Sequence, residues 1–286
     1  MELIYKVKKP ETIKRFILEN HIPSSILERD EKLYKIYVNN QIKSTKDTVR
    51  KGDKIHIHIV NEKPEKVFPQ EMDLDIIYED EYLLVINKPA NMRMMISKKH
   101  PKNTLANGIS HYYQTNNIQA KLHFINRLDT DLSGLVVLAK HQFIRFLMSD
   151  KLNNEALFYY QAVVDGQIPQ KNFSICLPIG KQKDSSLREV AEDGKECETK
   201  YQVIKEYKNF SLLDLQVKNK ITHQIKVHLS YFDFPVVGDK YYNESSYPVD
   251  RVLMDCYKVK FTHPINEEEM NIVHEIPKEI IDFMKK

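Results

Sequence analysis

Residues 127–139 read RLDTDLSGLVVLA. A loop holding two carboxylates runs through Ser133-Gly134 straight into five consecutive apolar residues. Such a run behind turn residues reads as a buried strand. The loop before it is then fixed on a rigid scaffold, where reactive side chains tend to sit. Asp129 and Asp131 both occupy that loop, and the local pattern alone does not choose between them.

At 286 residues the chain has room for a large domain and a small one. Residues 11–22 place Ile13, Phe16, Ile17 and Ile22 at near-helical spacing, and a second short helix is expected from Ser24 to Leu33. Ile36 to Ile42 reads as strand, turn, strand, and the turn Lys51-Gly52-Asp53 precedes an alternating strand from Lys54 to Ile59. NEKPEKVFPQEM, Asn61 to Met72, is proline-containing and charged, and reads as a linker. From Asp73 onward apolar strands alternate irregularly with helices. Strands are expected over 76–78, 82–86, 135–139, 159–164, 198–206, 211–217 and 252–261; helices over 104–113, 142–153 and 223–232. Without a regular βαβ rhythm this is an α+β chain. The division is a small domain over 1–60, a linker over 61–72 and a large domain over 73–286.

The net charge is only +3, but it is uneven: residues 1–68 hold 15 Lys/Arg against 10 Asp/Glu, a balance of +5, and the remainder is at −2. The N-terminal part is therefore the electrostatic handle for a polyanion. Apolar runs are far short of a membrane span and the N-terminus lacks a secretory apolar region, so a cytoplasmic protein is expected. Cys176, Cys197 and Cys256 are too few and scattered for a disulfide framework or a metal site. His223 and His228 are five apart, the wrong spacing for a helical zinc pair. No metal and no cofactor are expected.

Four blocks carry a family resemblance. Asn126 to Gly134 resembles the H/N-R-L-D-x-x-T-S-G motif of the RluA-type pseudouridine synthases, with Leu132 in place of threonine. Tyr78 to Met92 resembles the family's ED-x-x-L-x-V-x-x-K-P-x-G-M signature, with Asn91 for the glycine, a residue that tolerates left-handed backbone. Tyr159 to Gly166 resembles K-x-Y-x-A-x-V-x-G, with Tyr160 at the tyrosine and Phe158 at the lysine. Lys218 to Leu229 and Phe234 to Tyr242 resemble T-G-R-T-H-Q-I-R-V-H-L and P-I-x-G-D-x-x-Y, with Asn219, Lys220 and Lys226 replacing a glycine and two arginines. Near the end, Leu253 keeps the apolar position of an L-H-A strand from which Met254 and Asp255 depart. Residues 8–60 resemble the RNA-binding module of the ribosomal-protein-S-four type.

The resemblance implies an α+β fold: a mixed, largely antiparallel sheet with flanking helices and a central cleft, plus the small RNA-binding domain. It implies an RNA uridine-to-pseudouridine isomerase, with ribosomal RNA the usual substrate; the oligomeric state is open, with a monomer as the default expectation. Asp129 takes the catalytic position and Asp131 does not. Tyr160 is the aromatic face for a flipped uracil, and Lys226 the cation paired with Asp129. Arg127, Lys220, His223, Gln224 and Leu253 are the expected substrate contacts, with Thr222 as a helix cap. Lys14, Arg15, Lys32 and Lys35 are the expected phosphate contacts of the small domain. The departures at Phe158, Lys220, Lys226 and Met254 also leave room for a catalytically weak or inactive RNA-binding ribosome-assembly factor on the same fold.

Overall fold

The computed structural model describes residues 2–20, 34–60, 62–154, 156–218, 220–244 and 247–285, with 149–154 described as backbone only. The second small helix, Lys32 and Asn219 lie outside the described residues.

The N-terminal part forms its own four-stranded sheet, in the order Glu2–Lys6, Lys54–Ile59, Tyr34–Val38, Gln41–Lys43. Period-two alternation sends Leu3, Ile36, Val38, Ile55, Ile57 and Ile59 inward. The helix Ile13–Glu19, capped by the Thr12 side chain, buries Ile13, Phe16 and Ile17 with them. The strand Glu2–Lys6 was not read from the sequence, because ELIYK is short and largely exposed.

Residues 62–72 carry no regular secondary structure, as a linker should, yet they are not a free tether. The Val67 carbonyl accepts from the Ser110 hydroxyl at 3.0 Å and the Phe68 carbonyl from the Asn107 amide at 2.8 Å. Buried Glu62 pairs with His123 at 2.6 Å. The segment is strapped along the helix Leu105–Thr115.

The large sheet has ten strands. Its main path runs Asn172–Ile175, Thr199–Glu206, Phe210–Val217, Leu157–Asp165, Met254–Thr262, Ser133–Ala139, Leu83–Lys88, Asp75–Glu79. Among the described residues every strand pairing of this sheet is antiparallel except one: Ser133–Ala139 lies parallel to Met254–Thr262 at the matched pairs Ser133/Asp255 and Gly134/Cys256. All seven residues of Ser133–Ala139 are buried, the environment a strand read as continuously apolar requires. Gly134, at φ 117, makes the parallel contact possible, since a Cβ there would lie 2.4 Å from the Cys256 nitrogen. The RLDTDLSG loop therefore emerges beside the one point where the chain direction in the sheet does not reverse.

Candidate active site

The loop before Ser133 is held from below. Lys88 ends the strand Leu83–Lys88 fully buried, and its ammonium donates to the carbonyls of Leu132 (2.6 Å), Pro89 and Met92 (both 2.9 Å) and Thr130 (3.3 Å). Burial pushes the Lys88 amine down to about 7, Asp131 opposing that shift. Asn126 clamps the other side, donating to the Leu135 carbonyl at 2.9 Å and accepting from the Val137 amide at 2.8 Å. Leu132 is fully buried, so apolar packing stands where the family's threonine hydroxyl would be. Asn91 adopts φ 60, the left-handed turn that a replaced glycine demands.

Above this support lies a cleft of about 420 Å³, lined among others by Asp129, Asp131, His223, Lys226 and Arg251. Asp129 accepts from Lys220 Nζ at 3.2 Å, with the two side chains 16% and 9% exposed. Burial pushes the Asp129 carboxyl up, but Lys220, His223 and Lys226 together outweigh it, and the group is held below the usual carboxylate range. Lys226 is not its partner. It reaches Asp131 at 2.6 Å and Asp239 at 3.3 Å. Burial lowers the Lys226 amine, and Asp239 and Asp131 more than restore it. The expected Lys226–Asp129 pair is thus corrected to Lys220–Asp129, and Lys220 is committed to the carboxylate instead of an RNA phosphate.

Three further expectations change. Tyr160 is 1% exposed and does not line the cleft, so it offers no open stacking face. Its burial drives the phenol well up, with Cys256 and Asp129 adding to the effect, so it lies within reach of the Asp129 charge. Gln224 is fully buried and structural: it accepts from the Ile221 amide at 2.9 Å and donates to the Glu198 carbonyl at 2.9 Å and Thr199 Oγ1 at 3.0 Å. Leu253 packs with Val163, Leu212, Val237 and Ile280, while its neighbour Val252 lines the cleft.

His223 does line the cleft. It stands at φ 60 and is the N-cap of the helix Gln224–Tyr231, without a side-chain cap bond. Thr222 is therefore not the cap. Positive φ on so bulky a residue is strained and survives only where neighbours impose it; here the Tyr242 hydroxyl holds His223 Nδ1 at 2.8 Å. Burial lowers the His223 imidazole despite Asp129. His228 is buried against Thr199 Oγ1 (2.9 Å) and the Leu177 carbonyl (2.9 Å). Arg127 is exposed beside the loop.

In the small domain, Arg15 is paired with Glu19 at 2.8 Å on the helix that covers the inner face of the sheet. Lys14 lies on that helix too, whereas Lys35 alternates to the outer face of the sheet. The described members of the expected phosphate patch do not share one face.

Sequence reasoning missed Arg251. It lines the cleft and donates to Ser133 Oγ at 2.5 Å and the Met254 carbonyl at 3.2 Å. Ser133 in turn donates to buried Asp255, which pairs with His274 at 2.8 Å. The signal was Asp255 itself, a carboxylate inside an apolar strand, which has to find cations or donors.

The arrangement offers an ionised carboxylate in a cleft with cations around it and no cluster of metal-ligating residues among the described residues. The family described as RNA pseudouridylate synthase matches residues 82–231. The uncharacterized RNA pseudouridine synthase YjbO of Bacillus subtilis is 32% identical over 87% of this chain and 89% of its own length. Ribosomal large subunit pseudouridine synthase D of Vibrio parahaemolyticus is 28% identical over 86% of this chain and 81% of its own. The structure of human RNA pseudouridylate synthase domain containing 4 superposes with a TM-score of 0.62 at 20% identity, covering 73% of this chain and 91% of that one, a likeness of fold.

Proposed function

The chain belongs to the RNA pseudouridylate synthase family and is an RNA pseudouridine synthase, and we propose that it isomerises a uridine of structured ribosomal RNA with Asp129 as the catalytic carboxylate. The observation that carries the assignment is the setting of Asp129: in the cleft, most of its surface covered, and held ionised by Lys220. Asp131 shares the cleft but is engaged by Lys226, which also answers Asp239. The relatives named for the large ribosomal subunit support a ribosomal target.

Pseudouridine formation breaks the bond from ribose C1′ to uracil N1 and makes one from C1′ to C5; C5 gives up its proton and N1 takes one up, so the product is an isomer of the substrate. No electrons are transferred. Three routes are open to Asp129: attack on the ribose, attack on the uracil ring, or removal of a ribose proton. Each starts from the ionised carboxylate that the lysines maintain. The uridine has to leave its stack to reach the cleft, at a cost of roughly a few kcal/mol that is smallest in loops. Arg127, exposed beside the loop, is the proposed residue to support the loop or fill the place the uridine vacates.

Purified protein is expected to convert uridine in RNA from its source. Asp129→Asn is expected to abolish conversion while leaving the circular dichroism spectrum unchanged. A wild-type protein that leaves all such RNA unmodified, or an Asp129→Asn variant that retains conversion, overturns the assignment.

A further inference from the structure

A second groove, of about 270 Å³, opens off the cleft, and the two share Leu187 and Tyr241. Tyr231, Tyr242, Arg188 and Glu189 also line it. Tyr242 is already engaged, by His223 Nδ1 and by the Arg188 amide, both at 2.8 Å. Tyr241 and Tyr231 are different: they are 64% and 58% exposed. Arg188 adds a buried Nε with no acceptor among the described residues. Two open phenol rings and an orphaned donor beside a catalytic cleft need a reason, because exposed rings are poorly hydrated and an unmet buried donor is costly.

Charge says which part of an RNA chain fits. The cleft sets Arg93, Lys226, Lys240 and Arg251 against Asp129, Asp131 and Asp250, an excess of one positive charge toward phosphates. The groove is lined by one cation, Arg188, and one anion, Glu189, which give phosphate no net attraction. Aromatic rings without net charge suit a base, since every nucleobase has a face to stack. The aromatic surface continues past Tyr231 to Phe232, ring centres 5.3 Å apart.

We propose that this groove is the subsite for a nucleotide flanking the target uridine, its base stacked on Tyr241 and Tyr231 and an acceptor on its edge bonded by Arg188. The subsite rests on the cleft being the uridine site. It gives the enzyme a means of preferring single-stranded RNA around its target that the Asp129 loop alone does not provide.

The test is anisotropy titration of the full chain with fluorescein-labelled heptauridylate, at several salt concentrations. Replacing both Tyr231 and Tyr241 by alanine is expected to weaken binding by roughly tenfold or more, the range of lost base stacking. The slope of affinity against salt should not change, because stacking releases no counterions. The double phenylalanine variant keeps the rings and is expected to restore binding. Both positions are exposed, so thermal melting should be unaffected. The proposal is overturned if the wild-type protein does not bind the heptamer, or if the alanine pair binds as well as wild type. It is equally overturned if the salt slope falls, which marks a phosphate contact, or if the substitutions change the sedimenting mass, which marks a protein interface. Binding is read without turnover. A protein that holds the heptamer through these rings but leaves RNA uridines unchanged therefore overturns the role of Asp129 and keeps the subsite.

Discussion

Two lysines six residues apart divide the acidic pair of one loop between them. Lys220 takes Asp129 at 3.2 Å and Lys226 takes Asp131 at 2.6 Å. The Asp129 carboxyl is depressed, so the ionised form is present above its folded pKa and lost as pH falls through it. Lys220→Met removes the nearest opposing charge and leaves burial in place, so that pKa rises. The acid limb of kcat/KM, which reports the free enzyme, is expected to move up by about 1–3 pH units. A pH–rate profile with its acid limb unmoved would exclude Lys220 as the group that keeps Asp129 ionised. The loop was legible because RLD, SG and the apolar strand stand together in sequence, and only the motif position set Asp129 before Asp131. The partner of Asp129 was not legible. Motif position pointed to Lys226, but a lysine lacks the arginine fork and bonds whichever carboxylate its single nitrogen reaches. That reach is set by a helix start with His223 at φ 60, which no spacing announces.

At the scale of elements, Ser133–Ala139 determines where the loop emerges, and its apolar composition made it easy to read. Its neighbours were harder. The parallel pairing with Met254–Thr262 joins residues more than a hundred positions apart, and so does the chain Arg251–Ser133–Asp255–His274 built on it. Such contacts depend on sheet order, which local pattern does not encode. Gly134 is the pivot of that pairing. Gly134→Ala adds positive-φ strain and a Cβ 2.4 Å from the Cys256 nitrogen, with backbone on all near sides. The two effects together cost about 2–6 kcal/mol. Gly52 is the internal control: it too has positive φ, 96°, but a Cβ there meets nothing within 4 Å. Gly52→Ala should cost only the strain, about 1–3 kcal/mol. Denaturant midpoints compare the two directly, and equal losses would show that close approach to Cys256 is not what constrains Gly134.

At the scale of the whole molecule the charge asymmetry acquires a geometry. The four strands of the small sheet carry Lys6, Lys35, Lys43 and Lys54 against Glu2, on a sheet whose inner face is closed by apolar packing. Its outer face pairs Lys6 with Lys54, Lys35 with His58 and Tyr37 with His56 across the strands. The acid on that face, Glu2, is occupied by His58 at 3.2 Å. The junction to the large domain is anchored: His141 meets the Val60 carbonyl at 2.8 Å, and Glu62 accepts from the Gln142 amide at 3.1 Å. A basic face fixed in this way would present bound RNA at a set orientation to the cleft, which a flexible tether would not. The phosphate contacts expected from the sequence therefore move, in this reading, from the helix residues Lys14 and Arg15 to Lys35 with Lys6 and Lys54. Replacing these three lysines by alanine is expected to reduce the slope of log affinity against log salt by about 2–3, one counterion or slightly less per lost contact. Single-turnover conversion at saturating ribosomal RNA should be unchanged, because none of the three lines the cleft. Filter binding over a salt series, with single-turnover rates at saturation, separates the outcomes. A slope that does not move denies the face its phosphates, and a slower saturated rate assigns it a part in positioning the uridine.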